Sequence, residues 1–364
     1  MKRIAIWGYF GGYGGIERMV YNFYKHMDKT KIQYDFLVPH DFGKIAFEDE
    51  ILAMGGRVFR ILYSERESLI KSRTCWMKYF KEHPEVQGIH VHANFPYAFP
   101  LKMAKKAGVG IRIIHAHNSN IASKPNSIIK KIREKHIRKM IKKYPNKYVA
   151  CGETAARFMF GEREYIWIKN GIEIDKFKYD ELIRKEQRNE YGFQDDEIVL
   201  GQIGHLTDVK QPLYSVELLK EVTEKNRKVK LVFAGQGPLE EKIKSKIREY
   251  NLENNAIILG GIPDVSRLYQ TLDVLLLPSL YEGFPVVLVE AQAIGVQCLV
   301  SSNVTKQTIQ TDLCKMISLD DREKWIEEIV RFRNDKDRFK YNKIMDDAGF
   351  DIKRVAHEVE MLYE

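Results

Sequence analysis

Cysteine is scarce in this chain: Cys75, Cys151, Cys298 and Cys314 are all there is in 364 residues, and none stands at C-x-x-C spacing. That excludes a disulfide framework or a zinc ribbon and fits small core residues kept reduced in a cytosol. Long apolar runs are missing as well. No stretch approaches the length that crosses a bilayer, and the opening MKRIAIWG is broken too soon for a secretory leader, so the chain is expected to stay where it is made. The glycine-dense start does not spell G-x-G-x-x-G, and the acid with which a dinucleotide fold would hold its ribose has no firm candidate after residues 34–38. An NAD site is the weaker reading for that reason. An Asp-x-Asp pair after a hydrophobic strand is also lacking; the sole instance, Asp335-Lys336-Asp337, lies in a polar helical run, so no metal and no other cofactor is expected.

What is plentiful is positive charge, with 59 Lys and Arg against 50 Asp and Glu, a formal +9. Such an excess favours anionic partners, a nucleoside diphosphate or an anionic lipid among them. The excess is concentrated. Residues 124–147, opening at Lys124 and closing at Lys147, read KPNSIIKKIREKHIRKMIKKYPNK, with Glu134 as the only acid. Ile129, Ile132, Ile137, Met140, Ile141 and Tyr144 recur there at near-helical spacing, the pattern of a basic amphipathic helix lying on an anionic membrane surface. A sheet-covering helix with a solvated basic face is the plainer alternative. Nucleic acid is not expected, because no aromatic-rich recognition motif accompanies the charge.

The length exceeds what one core usually serves, which predicts two domains. Residues 3–7 read as a strand, 8–15 as a glycine-rich loop and 16–27 as a helix, and strands then alternate with helices, which argues for parallel α/β. Among the early strands, His90 and His92 share one face and so do His115 and His117, each pair near a strand end. Four imidazoles raise the question of zinc, but no acid or cysteine joins them at ligand spacing. A second set of strands and loops begins at residues 198–204 and continues at 229–235, 256–261, 273–277 and 297–300.

Between the last two lies Pro278-Ser279-Leu280-Tyr281-Glu282-Gly283-Phe284-Pro285, and seven residues separate Glu282 from Glu290. An apolar strand ends in turn residues, Pro285 suits a helix start and Gly295 a helix end. Glu282 then sits in a loop and Glu290 in a helix, with free backbone N–H groups between them for an anion or hydroxyl. This stretch resembles the E-x7-E signature of glycosyltransferase family four, the group 1 retaining transferases. The resemblance implies the GT-B fold: α/β, two Rossmann-like doubly wound domains facing a central cleft. It puts an acceptor-binding domain at residues 1–177, a nucleotide-sugar domain at 178–349, and a closing helix at about 350–364 that crosses back onto the first.

It also assigns roles residue by residue. Glu282 would lie beside the donor sugar and Glu290 would hold the ribose, with Gly283, Phe284 and Pro285 between them. Lys210 matches the lysine that grips the donor diphosphate. The arginine usually found five residues earlier is replaced by His205, which gives a hydrogen bond but no permanent charge. Gly14 and Gly15, Gly237 and the backbone of Ile262 would complete the donor site, and His117, ahead of Asn118-Ser119, would approach the acceptor and the sugar's reactive face. The implied reaction is a metal-independent, retaining hexosyl transfer from a UDP-sugar, a hexose or N-acetylhexosamine, to a hydroxyl. With the basic helix, the expected acceptor is a lipid-linked saccharide for a bacterial surface polysaccharide, handled by a cytoplasmic enzyme peripheral to the inner face of the plasma membrane. A nucleotide-sugar epimerase on the same fold, or a non-catalytic basic membrane-binding protein, are the rival expectations.

Overall fold

A computed structural model describes residues 1–9, 14–65, 67–118, 128–225, 228–333 and 337–364, with the backbone alone for 128–131 and 133. Expectations placed on residues 10–13 of the glycine-rich loop, on Ser119, Lys124 and Asp335 and on the side chain of Ile129 lie outside the described residues. The chain divides into two compact units, Met1–Gly171 with Ile352–Glu364, and Ile172–Asp351.

The first unit alternates β1 (Lys2–Trp7), α1 (Gly15–His26), β2 (Ile32–Pro39), α2 (Glu48–Ala53), β3 (Arg57–Leu62), α3 (Leu69–Glu82), β4 (Val86–Ala93), α4 (Phe99–Lys106), β5 (Ile111–Ala116), α5 (Ile128–Lys143), β6 (Lys147–Ala150), α6 (Glu153–Phe160) and β7 (Ile166–Trp167). The second runs α7 (Glu181–Glu190), β8 (Ile198–Ile203), α8 (Pro212–Lys225), β9 (Val229–Ala234), α9 (Glu240–Glu249), β10 (Ala256–Ile258), α10 (Ser266–Thr271), β11 (Val274–Leu277), α11 (Val286–Ala293), β12 (Gln297–Ser301), β13 (Cys314–Ile317), α12 (Arg322–Val330) and α13 (Lys340–Asp347). The closing α14 (Ile352–Met361) belongs to the first unit and packs on α1.

Both sheets are parallel among the described residues, in the orders β3-β2-β1-β4-β5-β6-β7 and β10-β9-β8-β11-β12-β13. Each order reverses once, between β1 and β4 in one and between β8 and β11 in the other. Doubly wound sheets bind ligands beyond the strand carboxyl ends at that reversal. Inner strands are covered on both faces, as β2 shows with seven successive buried residues. Within β2, Asp35 is fully buried and spent on structure: it accepts from Arg3 at 2.8 Å, Arg57 at 2.8 Å and the Tyr79 hydroxyl at 2.8 Å.

The division at Gly171–Ile172 precedes Phe177: the 3-10 turn Ile174–Phe177 buries Ile174 and Phe177 within the second unit, where Asn342 donates to both their carbonyls. On α5, Ile141 is buried while Ile132 is 64% exposed.

Candidate functional site

The second unit gathers chemistry at its strand-order reversal. After β8, the backbone turns through Gly204 and a 3-10 turn, Asp208–Lys210; after β11 it enters Pro278 and Ser279. These two loops are clipped together by the Leu280 N–H donating to the Val209 carbonyl at 2.8 Å, while the Gln202 side chain donates to the Lys210 carbonyl at 2.7 Å. Consequently the Lys210 ammonium meets the Glu282 carboxylate in an ion pair, across 72 residues of sequence. The hydroxyl of fully buried Ser279 donates to the same carboxylate oxygen at 2.7 Å. Both charged side chains keep some exposure, so the pair is partly solvated and able to exchange partners without the cost of breaking a fully buried pair.

Glu290 sits on the last full turn of α11, where the Tyr269 hydroxyl donates to it at 2.8 Å. Burial pushes that phenol well above its ordinary range, so it stays protonated and serves as donor. Gly283, Phe284 and Pro285 form the approach to α11, with Pro285 at the N-cap. The Phe284 ring is buried and tilts against Phe350 at 6.2 Å, so only its backbone is open to a ligand role. His205 is exposed, and its Nδ1 bonds the Gln236 carbonyl at 2.7 Å. Gly237 packs on the neighbouring turn: a Cβ there would lie 2.4 Å from the Leu206 carbonyl oxygen, so a side chain is excluded by backbone. Ile262 is half-buried beyond β10, next to Gly261, which lies against the Gln236 side chain.

The structure thus brings Lys210, Glu282 and Ser279 together, ties Glu290 to Tyr269, and couples the His205 turn to the Gly237 turn. Sequence reasoning missed Ser279 and Tyr269 as partners. Ser279 lay within the quoted motif and could have been found there; Tyr269 carried no signal.

The remaining candidates lie in the first unit. Gly14 caps α1 and Gly15 is its first residue; neither has a left-handed backbone, and a Cβ at Gly15 would meet nothing within 4 Å. His117 follows β5 directly, half-buried, and belongs to a stack of four imidazoles with His90, His92 and His115, the last three fully or almost fully buried. Their nitrogens bond in two pairs, His90 Nε2 with His115 Nδ1 at 3.2 Å and His92 Nδ1 with His117 Nε2 at 3.0 Å. His90 Nδ1 bonds the Tyr363 hydroxyl at 2.8 Å, and Tyr363 bonds Tyr34 at 2.6 Å. Burial lowers all four imidazoles, to about 3 for His90 and His117 and well below the ordinary range for His92 and His115, so every ring is neutral. His90, His92 and His115 bring ligand-capable nitrogens within 4.8 Å of one another. The shortest approach among these three is the ring-to-ring hydrogen bond between His90 and His115.

Comparison with known proteins now bears on this geometry. The family described as Glycosyltransferase Family 4 matches residues 13–176, and Glycosyl transferases group 1 matches residues 183–312. The putative glycosyltransferase EpsF of Bacillus subtilis (strain 168) is 33% identical over 299 residues, covering 81% of this chain and 77% of its own length. The chain belongs to the group 1 glycosyltransferases. Another relative, the UDP-Gal:alpha-D-GlcNAc-diphosphoundecaprenol alpha-1,3-galactosyltransferase of Escherichia coli, is 31% identical over 208 residues, covering 54% of this chain and 53% of its own. Among solved structures, Anabaena Alr3699/HepE in complex with UDP superposes with a TM-score of 0.77 at 15% identity, over 99% of this chain and 98% of its own, a likeness of fold. The group 1 transferase described here is therefore of GT-B type, and no helix among its described residues is long and apolar enough to cross a membrane.

Proposed function

We propose that this glycosyltransferase moves a hexose or N-acetylhexosamine from a UDP donor to a hydroxyl acceptor, with retention at C1 and without metal. The observation that carries this reading is the Lys210–Glu282–Ser279 cluster at the reversal between β8 and β11. Bond by bond, the C1–oxygen bond to the β-phosphate breaks, the acceptor oxygen bonds C1 from the same face, and the departing phosphate takes the acceptor's proton. Lys210 supplies positive charge where the phosphate gains negative charge, an effect worth several kcal/mol for a well-placed donor in a dry site. His205, in place of the usual arginine, adds a second donor in its protonated form, since its Nδ1 proton goes to the Gln236 carbonyl. Glu282 orients the sugar, Glu290 the ribose, Gly237, Ile262 and the 283–285 backbone frame the nucleotide, and His117, with Gly14 and Gly15, serves from the first unit.

For the acceptor we take a lipid-linked saccharide of a surface polysaccharide. Support comes from the relative that acts on GlcNAc-diphosphoundecaprenol and from α5, whose Lys135, Lys139, Lys142 and Lys143 are exposed together with Ile132. An apolar residue among exposed lysines suits the surface of an anionic bilayer, which supports a peripheral position on the inner face of the plasma membrane. Membership in a transferase family disfavours the epimerase and the non-catalytic scaffold.

Radiolabelled UDP-sugars incubated with lipid extract, with and without EDTA, test the whole. The expected result is label in the lipid fraction that survives EDTA, with α-linked product. Free epimerised donor, or transfer abolished by EDTA and restored by a divalent cation, would overturn it. Reversing the charges of Lys135, Lys139 and Lys142 should release the protein from anionic vesicles while leaving UDP affinity unchanged.

A further inference from the structure

The four histidines of the first unit form a bonded assembly, and one of them has a task the transfer reaction has not yet been given. We infer that His92 is a positioning residue: it holds His117 by one ring nitrogen so that the other, Nδ1, is offered to a sugar hydroxyl. This rests on the reading above that His117 meets the sugars.

His92 lies inside β4, 2% exposed, and its Nδ1 is 3.0 Å from His117 Nε2, the rings stacked at 5.2 Å and 21°. His117 Nδ1 is closed off from solvent and has no hydrogen-bond partner among the described residues. Buried polar atoms in folded proteins are nearly always paired, so an open one calls for a partner. It occurs at the carboxyl end of β5, one strand from the β1–β4 reversal where such sheets bind ligands. The backbone of His92 is itself fixed from the far side. Gly8, just past β1 at φ +99°, approaches so closely that a Cβ would stand 2.0 Å from the His92 carbonyl oxygen.

The layer beneath keeps the pair from tilting. His90 stacks on His92 at 4.2 Å, His115 lies 4.2 Å from His117, and the His90–His115 bond is anchored through Tyr363 to Tyr34. A neutral imidazole carries one proton on one nitrogen. If His92 donates, His117 must carry its own proton on Nδ1 and presents a donor; if His117 donates, its Nδ1 is left as an acceptor. In either case the single contact to His92 selects the tautomer and the ring orientation, and one misplacement of that kind costs about 10–100-fold in rate.

The two amide replacements separate this from a packing role. Asparagine at 92 places its amide near the former Nδ1 and can donate or accept, so His92→Asn should keep kcat within a few fold. Glutamine at 92 carries the same group one bond too far, so His92→Gln should lower kcat about 10–100-fold with the donor KM within twofold. Histidine 15N spectra of the folded variants should show the His117 tautomer of the parent in His92→Asn and a mixture of tautomers in His92→Gln. Equal kcat and equal spectra for the two variants would overturn the inference. His117→Ala tells the two levels apart: if it transfers like the parent, the placement of His117 by the sugars has failed, and if it is inactive while His92→Gln is fully active, only the role of His92 has.

Discussion

The two carboxyl edges of this transferase solve polar recognition by opposite means. In the first unit four neutral imidazoles lead toward that edge from two tyrosines buried deeper in the core, with no charged group in the hydrogen-bonded chain from Tyr34 to His115. In the second unit it is built from a lysine and a glutamate in contact, steadied by a buried serine hydroxyl. The difference matches what each edge would hold. A sugar hydroxyl needs directional hydrogen bonds and gains nothing from net charge, whereas a leaving diphosphate needs positive charge that is already in place. Burial is tolerable at the first edge because imidazoles can give up their charge, and at the second because the ion pair keeps access to water.

The largest test of this contrast removes the charge. Lys210→Ala should lower kcat about 10²–10³-fold, the range found when one transition-state donor is lost. Glu282→Ala should also abolish transfer while UDP, measured by calorimetry, still binds. If both variants retain the parent's kcat, the second edge is not the donor site. The next effect is about tenfold and concerns the substitute histidine. His205→Ala should lower kcat by that factor, as the loss of one hydrogen bond to a charged group does, and an unchanged kcat in the variant would remove His205 from the phosphate-binding set.

Acid should separate the two units by stability. The four imidazoles titrate near 6.5 when unfolded and, for His90 and His117, near 3 when folded. Between those values the unfolded state binds protons that the folded state refuses. Their contribution is therefore complete above about pH 6.5 and is lost as pH falls toward 3, at up to about 1.4 kcal/mol per pH unit for each histidine. Trp325 is the only tryptophan of the second unit, while Trp7, Trp76 and Trp167 lie in the first, so denaturation can be followed unit by unit. The first unit should show the steeper acid slope, and His90→Gln should make it shallower; parallel slopes in parent and variant would contradict neutral burial. The smallest effect belongs to Tyr269→Phe, which removes the hydroxyl held at 2.8 Å by Glu290. A few-fold weaker UDP affinity with unchanged kcat is expected from one hydrogen bond to a charged group.

Much of this was legible beforehand, and for a physical reason. Apolar runs of strand length bounded by glycine and proline mark β8, β9 and β11 because a parallel strand is buried on both faces. The turn residues of 278–285 announce a strand-to-helix crossing, and Gly295, at φ +77°, does end α11. Alternation along a strand put His90 with His92 and His115 with His117. What periodicity could not reveal is that the bonds run diagonally. His92 is in register with His115, yet its hydrogen bond goes to His117, two residues further on, because parallel strands are offset along the sheet. Helical spacing likewise shows which residues of α5 share a face, not which of them a neighbour covers: Ile141 is buried and Ile132 exposed.

By itself, then, the sequence determined the local grammar: two runs of alternating strands and helices, a glutamate in a loop and another on the helix that follows, and a chain rich in lysine with one stretch almost free of acid. These follow from interactions between residues a few positions apart. Only the tertiary structure decided that Lys210 touches Glu282, that Tyr269 claims Glu290, and that Tyr363 at one end of the chain seals a histidine stack 273 residues away. Those contacts depend on strand order, on register and on which helix returns to cover which sheet, and such choices are made by the burial of the whole core rather than by any segment of it.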